Sequence, residues 1–153
     1  MSTMDVKSVL LEEFKEWISF VIKNSDMDWQ LPMDTGKWTI HDIVSHIMLW
    51  DKYFFEAAID PILNNNPLTI EHLDFDTFNK EAIEYGKTKT KDELIHLTIQ
   101  YRNLILESIE SLSDEKFTRE YVDGKFTLMS YLKDFIGHDQ HHMRQIEERK
   151  RRI

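Results

Sequence analysis

Apolar residues return every third or fourth position in four stretches of this chain, a period that belongs to helices rather than strands. The first stretch, Asp5 to Lys23, sets Val6, Val9, Leu10, Phe14, Trp17, Ile18 and Val21 along one face. A loop broken by Pro32 and Gly36 follows. The second stripe is Ile40, Ile43, Val44, Ile47, Trp50, Phe54 and Ala58, ending near Pro61 to Asn66. Thr39 stands just before it with Asp42 three residues on, a variant capping box with an acidic first turn.

The third helix is announced by Thr90, with Glu93 placed to answer the cap. Its stripe is Leu94, Leu97, Tyr101, Leu104, Ile105 and Leu112. The fourth starts near Thr127 and runs to about Arg149. Between Pro67 and Lys89 the pattern weakens, and one short helix over Glu71 to Tyr85 is expected there. In KFTREYVDGKFT, Asp123-Gly124 marks a tight turn between two short extended pieces. No internal repeat interrupts this order. The expected fold is all-α, a four-helix bundle formed by one domain over residues 1–153.

Composition agrees with that reading and narrows the function. Four glycines and three prolines leave little turn chemistry for an all-β fold. A net charge of −9 disfavours nucleic acid, because phosphate binding needs clustered Lys and Arg. The one basic run, Arg149 to Arg152, sits at the end of the last helix, where cations complement the dipole. No window is apolar for long enough to span a membrane, and the N-terminal segment lacks the order of a signal peptide, so a cytoplasmic protein is expected. Cysteine is absent, which removes disulfides, thiolate nucleophiles and cysteine-based zinc sites. Any thiol used here must come from another molecule.

The chemistry is carried by histidine. Three of the seven histidines fall within GHDQHHMRQI: His138, His141 and His142. On a helix turning 100° per residue, Leu128, Leu132, Phe135, Ile136, Met143 and Ile146 define the buried sector. His142 falls inside it and His138 lies beside it one turn earlier, whereas His141 points away. Two imidazoles at i and i+4 can chelate one divalent ion, which is the physical content of the HExxH motif. A site with an open position needs a third protein ligand, and it must come from a facing helix. His46 borders the second stripe and is the candidate. His41 lies in the first turn, where exposure is expected, and His72 and His96 read as surface residues. The alternative for each histidine is an ordinary hydrogen-bonded side chain at the edge of a core, and spacing alone leaves both open. Asp139 falls in the middle of the buried sector and needs a partner. It either orients a ligand imidazole from the second shell of a metal or makes a structural bond between helices.

WTIHDIVSHIMLWD and HDQHHMRQI resemble the second- and fourth-helix signatures of the DinB-like (damage-inducible) superfamily. In the first, a Trp opens the helix and a His follows about eight residues later. In the second, H-x-x-x-H is followed by Gln-Ile. The resemblance spans nearly the whole chain in length and helix order. It implies a four-helix bundle, often a homodimer, with a long connection between helices two and three. It also implies a divalent metal, zinc or nickel, held by the residues that match its histidines: His46, His138 and His142. Some relatives transfer a low-molecular-weight thiol such as bacillithiol or mycothiol, and many have no assigned activity.

Two kinds of function follow. One is a metal-dependent enzyme acting on a small-molecule substrate, transferring a thiol to an electrophile or hydrolysing its substrate. For it no catalytic residue is identified beyond the metal ligands; His41, Tyr53, Asp139 and His141 are candidate proton carriers by proximity. The other is a non-catalytic, stress-associated bundle that binds a metal or ligand. With either, Phe14 and Trp17 on helix one could form a dimer surface.

Overall fold

The computed structural model describes residues 3–153. Its elements are α1 (Thr3–Lys23), α2 (Ile40–Phe54), a π-helical turn (Phe55–Ile59), α3 (Asp60–Leu63), α4 (Phe75–Gly86), α5 (Lys91–Ser111), α6 (Asp114–Thr118) and α7 (Leu128–Arg151). Among the described residues there is no strand, only two isolated bridges. Among the described residues no helix is long and apolar enough to cross a membrane.

The starts of the long helices are set by local chemistry. Thr39 Oγ1 accepts from the Asp42 N–H at 3.0 Å, and Asp42 Oδ2 accepts from the Thr39 N–H at 3.1 Å. Thr90 and Glu93 make the same reciprocal pair at the head of α5. Thr127 caps α7 through the Ser130 N–H at 2.9 Å. Such caps are worth about 1 kcal/mol each, enough to place a helix end.

α2 does not simply stop. Pro61 has no N–H and its ring crowds the carbonyl four residues back, so the helix widens into the π turn before α3. The carbonyl thus released, that of Ala57, accepts from the Thr69 N–H at 2.9 Å and pins the start of the next connection.

Four long helices form the bundle, with contacts running α1–α5, α5–α2, α2–α7 and α7–α1. Consecutive helices α1 and α2 therefore lie across the diagonal, as do α5 and α7, and each diagonal step is spanned by a long loop. α4 lies outside the ring against α2.

The core is built in two apolar halves. One gathers Phe14, Phe54, Ile105, Phe117, Leu128 and Leu132, and the other Trp17, Trp29, Ile43, Ile47, Leu94 and Ile146. Burying each such side chain contributes roughly 1.5–3 kcal/mol before conformational entropy is set against it. Phe14 and Trp17 are completely buried, so the helix-one aromatics are core and offer no dimer surface. Val9, by contrast, is nearly half exposed and leaves the expected stripe.

Further local expectations are corrected. The short helix starts at Phe75 rather than Glu71, because Asp74 caps it through the Asp76 N–H. The two extended pieces around Asp123-Gly124 shrink to one bridge between Tyr121 and Phe126, preceded by the unforeseen helix α6. On α5 the fully buried line is Leu94, Thr98, Arg102, Ile105 and Ile109, while Leu97, Tyr101 and Leu104 are only half-buried. An arginine stands in the middle of that line.

Candidate metal centre

His46 on α2 and His138 and His142 on α7 meet where the two helices face each other. One ligand nitrogen from each lies within 4.8 Å of the other two. The His46 and His138 Nε2 atoms are 3.4 Å apart, and those of His138 and His142 are 3.2 Å apart. Tetrahedral bonds of ~2.1 Å would separate ligand nitrogens by roughly 3.4 Å, so the spacing suits a zinc-like ion.

The other ring nitrogens decide which atoms are free. His46 Nδ1 lies 2.6 Å from the Ile43 carbonyl, an acceptor only, so this nitrogen carries the proton and Nε2 presents its lone pair. His142 Nδ1 lies 3.0 Å from Gln145 Oε1, which sets the same tautomer. Two lone pairs therefore face His138 Nε2, and one proton there could satisfy only one of them. A cation between the three satisfies all. The donor set thus fits a divalent ion, with neutral imidazoles and no cysteine.

Burial prepares the site. His46 is almost fully buried, with the Trp38 ring edge-on at a centroid distance of 4.7 Å. Desolvation, then repulsion from His142 and His138, holds the His46 pKa well below its ordinary value. Desolvation, then His138, pushes His142 down to about 4, and His138 is lowered by burial, then by His141 and Arg102. All three are neutral at pH 7, the form a metal needs.

Between the two apolar halves lies a layer of charge. Arg102 on α5 donates to Asp51 on α2 through Nε (3.0 Å) and Nη2 (2.9 Å), and to Asp139 on α7 through Nη1 (2.6 Å). Nη1 also reaches the Phe14 carbonyl at 3.2 Å, and the guanidinium stacks 3.8 Å above the Phe14 ring. Arg102, Asp51 and Asp139 are all essentially inaccessible to solvent. Burial works against the charge of Arg102, but Asp139 and Asp51 outweigh it and raise its pKa. Burial also pushes Asp139 up to about 7 against the pull of Arg102.

Of the two uses open to Asp139, the structure displays the interhelical bond: its oxygens engage Arg102. The sequence reading missed Arg102 and Asp51, although a buried Asp139 without a partner was the signal that a cation had to be found.

His41 is a correction. It is buried rather than exposed, and its Nε2–H donates to the Gly86 carbonyl at 2.7 Å. It joins α2 to α4, and its ring takes no part in the cluster. His141, His72 and His96 are exposed, as their positions implied.

Beside His138 opens a cavity of about 260 Å³ between α2, α4 and α7, walled by Trp50, Phe75, Tyr131 and Phe135, with Asn79 and Asp134 as its polar groups. The larger cleft, about 630 Å³ near Asn65 and Tyr121, is lined by none of the three histidines. The cavity beside His138 is the relevant space, since one of the three histidines lines it.

Comparison with known proteins agrees with this architecture. The DinB superfamily is matched over residues 10–146. A solved structure from Bacillus subtilis, YfiT, superposes with a TM-score of 0.75 at 20% identity, covering 95% of this chain and 86% of that one. YfiT is described as a probable metal-dependent hydrolase with an unusual four-helix bundle topology. No curated protein matches the sequence.

Proposed function

The chain belongs to the DinB superfamily, and we propose that it is a divalent-metal-dependent enzyme acting on a small molecule, with His46, His138 and His142 as the ligands. The observation that carries this reading is the convergence of the His46 and His142 lone pairs on His138 Nε2. An ion held by three neutral imidazoles would supply a Lewis acid with an open position, where a thiol or water loses its proton near neutral pH.

The residues around it divide the remaining work. The Ile43 carbonyl and Gln145 hold two imidazoles in the ligating tautomer, and Trp38 keeps bulk water from His46. The cavity next to His138 admits the substrate. Of the four candidate proton carriers, His41 is committed to Gly86 and Asp139 to Arg102, while Tyr53 Oη accepts from the Glu71 N–H. His141 is exposed, with its ring 5.0 Å from that of His142, and is the side chain best placed to move a proton to solvent.

The reading we favour is transfer of a low-molecular-weight thiol, such as bacillithiol, to an electrophile. A chain without cysteine must take its thiol from outside, and a thiolate needs no general base once its pKa is lowered. Hydrolysis is the second reading, supported by the description of YfiT.

Cobalt-substituted protein distinguishes them. A small thiol should produce sulfur-to-metal charge-transfer absorption at neutral pH, titrating below the free thiol value of about 8.5. An unchanged spectrum at saturating thiol, with cobalt bound, decides against thiol transfer. Ester and amide cleavage then tests hydrolysis, and inertness in both leaves a metal-binding bundle without chemistry.

A further inference from the structure

The cavity beside His138 has a chemical character of its own. Trp50 stacks on Phe78 at a centroid distance of 3.9 Å, and its indole N–H donates to Asn79 Oδ1 at 2.8 Å. Tyr131 stacks on Phe54 at 4.0 Å and meets Phe135 edge-on. These walls are fixed by their own partners and need not collapse inward. Phe75 stands at the rim, 68% exposed, edge-on to Trp50. Its phenyl ring extends the aromatic wall, so a molecule in the cavity would cover it.

Asp134 is the one carboxylate lining this space, and it forms no ion pair among the described residues. It lies four residues before His138 on α7, hence on the same face and about 6 Å away along the axis. The cavity therefore has a cluster suited to a cation at His138, aromatic walls, and a single carboxylate at its margin, one helix turn from His138.

From this arrangement we infer that the site takes a compact substrate with a ring-sized apolar body. A metal-seeking group meets the histidines, and any charge on the rest of the molecule is positive, not negative. Aromatic faces attract both flat rings and cations, and Asp134 repels a carboxylate or phosphate in that position. The volume of about 260 Å³ suits a molecule below drug size. A net charge of −9 further favours the approach of cationic molecules. The inference rests on the metal reading for its orientation, but the aromatic and charge selectivity belongs to the cavity.

Calorimetry on zinc-loaded protein tests it with four hydroxamates: aceto-, benzo-, para-aminomethylbenzo- and para-carboxybenzohydroxamate. The benzo compound should bind about tenfold more tightly than the aceto compound, as a well-packed ring implies. The aminomethyl compound should bind more tightly than the carboxy compound. Phe75→Ala should shrink the ring advantage, and D134N should remove the amine-over-carboxylate preference. Both residues are exposed, so neither change threatens folding. Equal binding of aceto- and benzohydroxamate, or strongest binding of the carboxy compound, overturns the inference.

A second arm needs no metal. Benzylamine should shift the Trp50 indole N–H resonance, assigned with W50F, more than benzoate does at equal concentration. If zinc fails to bind, the metal reading falls and this arm alone decides. An equal or larger effect of benzoate, or no effect of either, overturns the inference.

Discussion

Arg102 donates to Asp139 at 2.6 Å, one residue from His138, while the same guanidinium grips Asp51, five residues from His46. A single side chain on α5 thereby ties together the two helices that carry the histidine cluster. Its position between two apolar half-cores means that neither carboxylate can turn to water instead.

Removing the cation should therefore be costly. Arg102→Leu strands two buried carboxylates and should lower stability by about 3–5 kcal/mol, measured by denaturant unfolding. Replacing Arg102, Asp51 and Asp139 together with apolar residues should cost much less than that single change, because no unpaired charge is left. A single-variant loss below about 1 kcal/mol would mean that water reaches the layer.

Metal content should follow the wheel position of each histidine. His142→Ala should abolish tight zinc binding while circular dichroism stays helical, since the two half-cores are apolar and do not need the metal. His141→Ala should keep its zinc because that side chain is exposed. His41→Ala should also keep zinc but lose stability, as the buried hydrogen bond that joins α2 to the Gly86 carbonyl is lost. Elemental analysis of the three variants reads this directly, and zinc loss from His141→Ala equal to that from His142→Ala contradicts the assignment.

The pH dependence has a definite sign. The pKa of His142 falls from 6.5 to about 4 on folding, so the unfolded chain takes up a proton that the folded one refuses. Stability from this residue is complete above pH 6.5 and is lost as pH falls toward about 4. Asp139, raised from 3.8 to about 7, acts oppositely: it favours the folded state at low pH and loses that contribution as pH rises through about 7. Comparing metal-free wild type with His142→Gln isolates the histidine, because Asp139 is common to both. The variant should lose less stability between pH 6.5 and 4. Parallel stability curves across that range would refute the buried neutral imidazole.

Gly86 is the contact at which α4 approaches α2. A Cβ added there would lie 2.0 Å from Ser45 Oγ and 2.6 Å from its Cβ. Gly86→Ala should cost about 1–3 kcal/mol through overpacking, visible as a lower Tm, and Ser45→Gly in the same chain should recover part of it. Absence of recovery would place the strain elsewhere.

Much of this was legible in the chain itself, for a physical reason. Helix periodicity, the Thr39 and Thr90 caps and the i,i+4 relation of His138 to His142 are set within a few residues of sequence. Capping patterns and an amphipathic wheel show them without the fold. The trio of His46, His138 and His142 could be named in the same way, because His46 and His138 border apolar stripes that must face the bundle and His142 lies within one, although spacing alone left open whether a metal joins them.

What lay beyond that reading depends on which faces meet across dozens of residues. Arg102 looks like a polar break in a stripe until α2 and α7 bring Asp51 and Asp139 to it. Phe14 and Trp17 look like a sticky surface until α5 and α7 close over α1. His41 looks exposed in a first turn until α4, reached through a long and weakly patterned connection, lays Gly86 against it. Local periodicity and capping specify the helices and set the three histidines at or beside apolar stripes. Packing between helices sets their order around the ring, the buried charge layer and the aromatic cavity. Compensation of a buried charge and complementarity of a wall exist only between elements, and no local period records them.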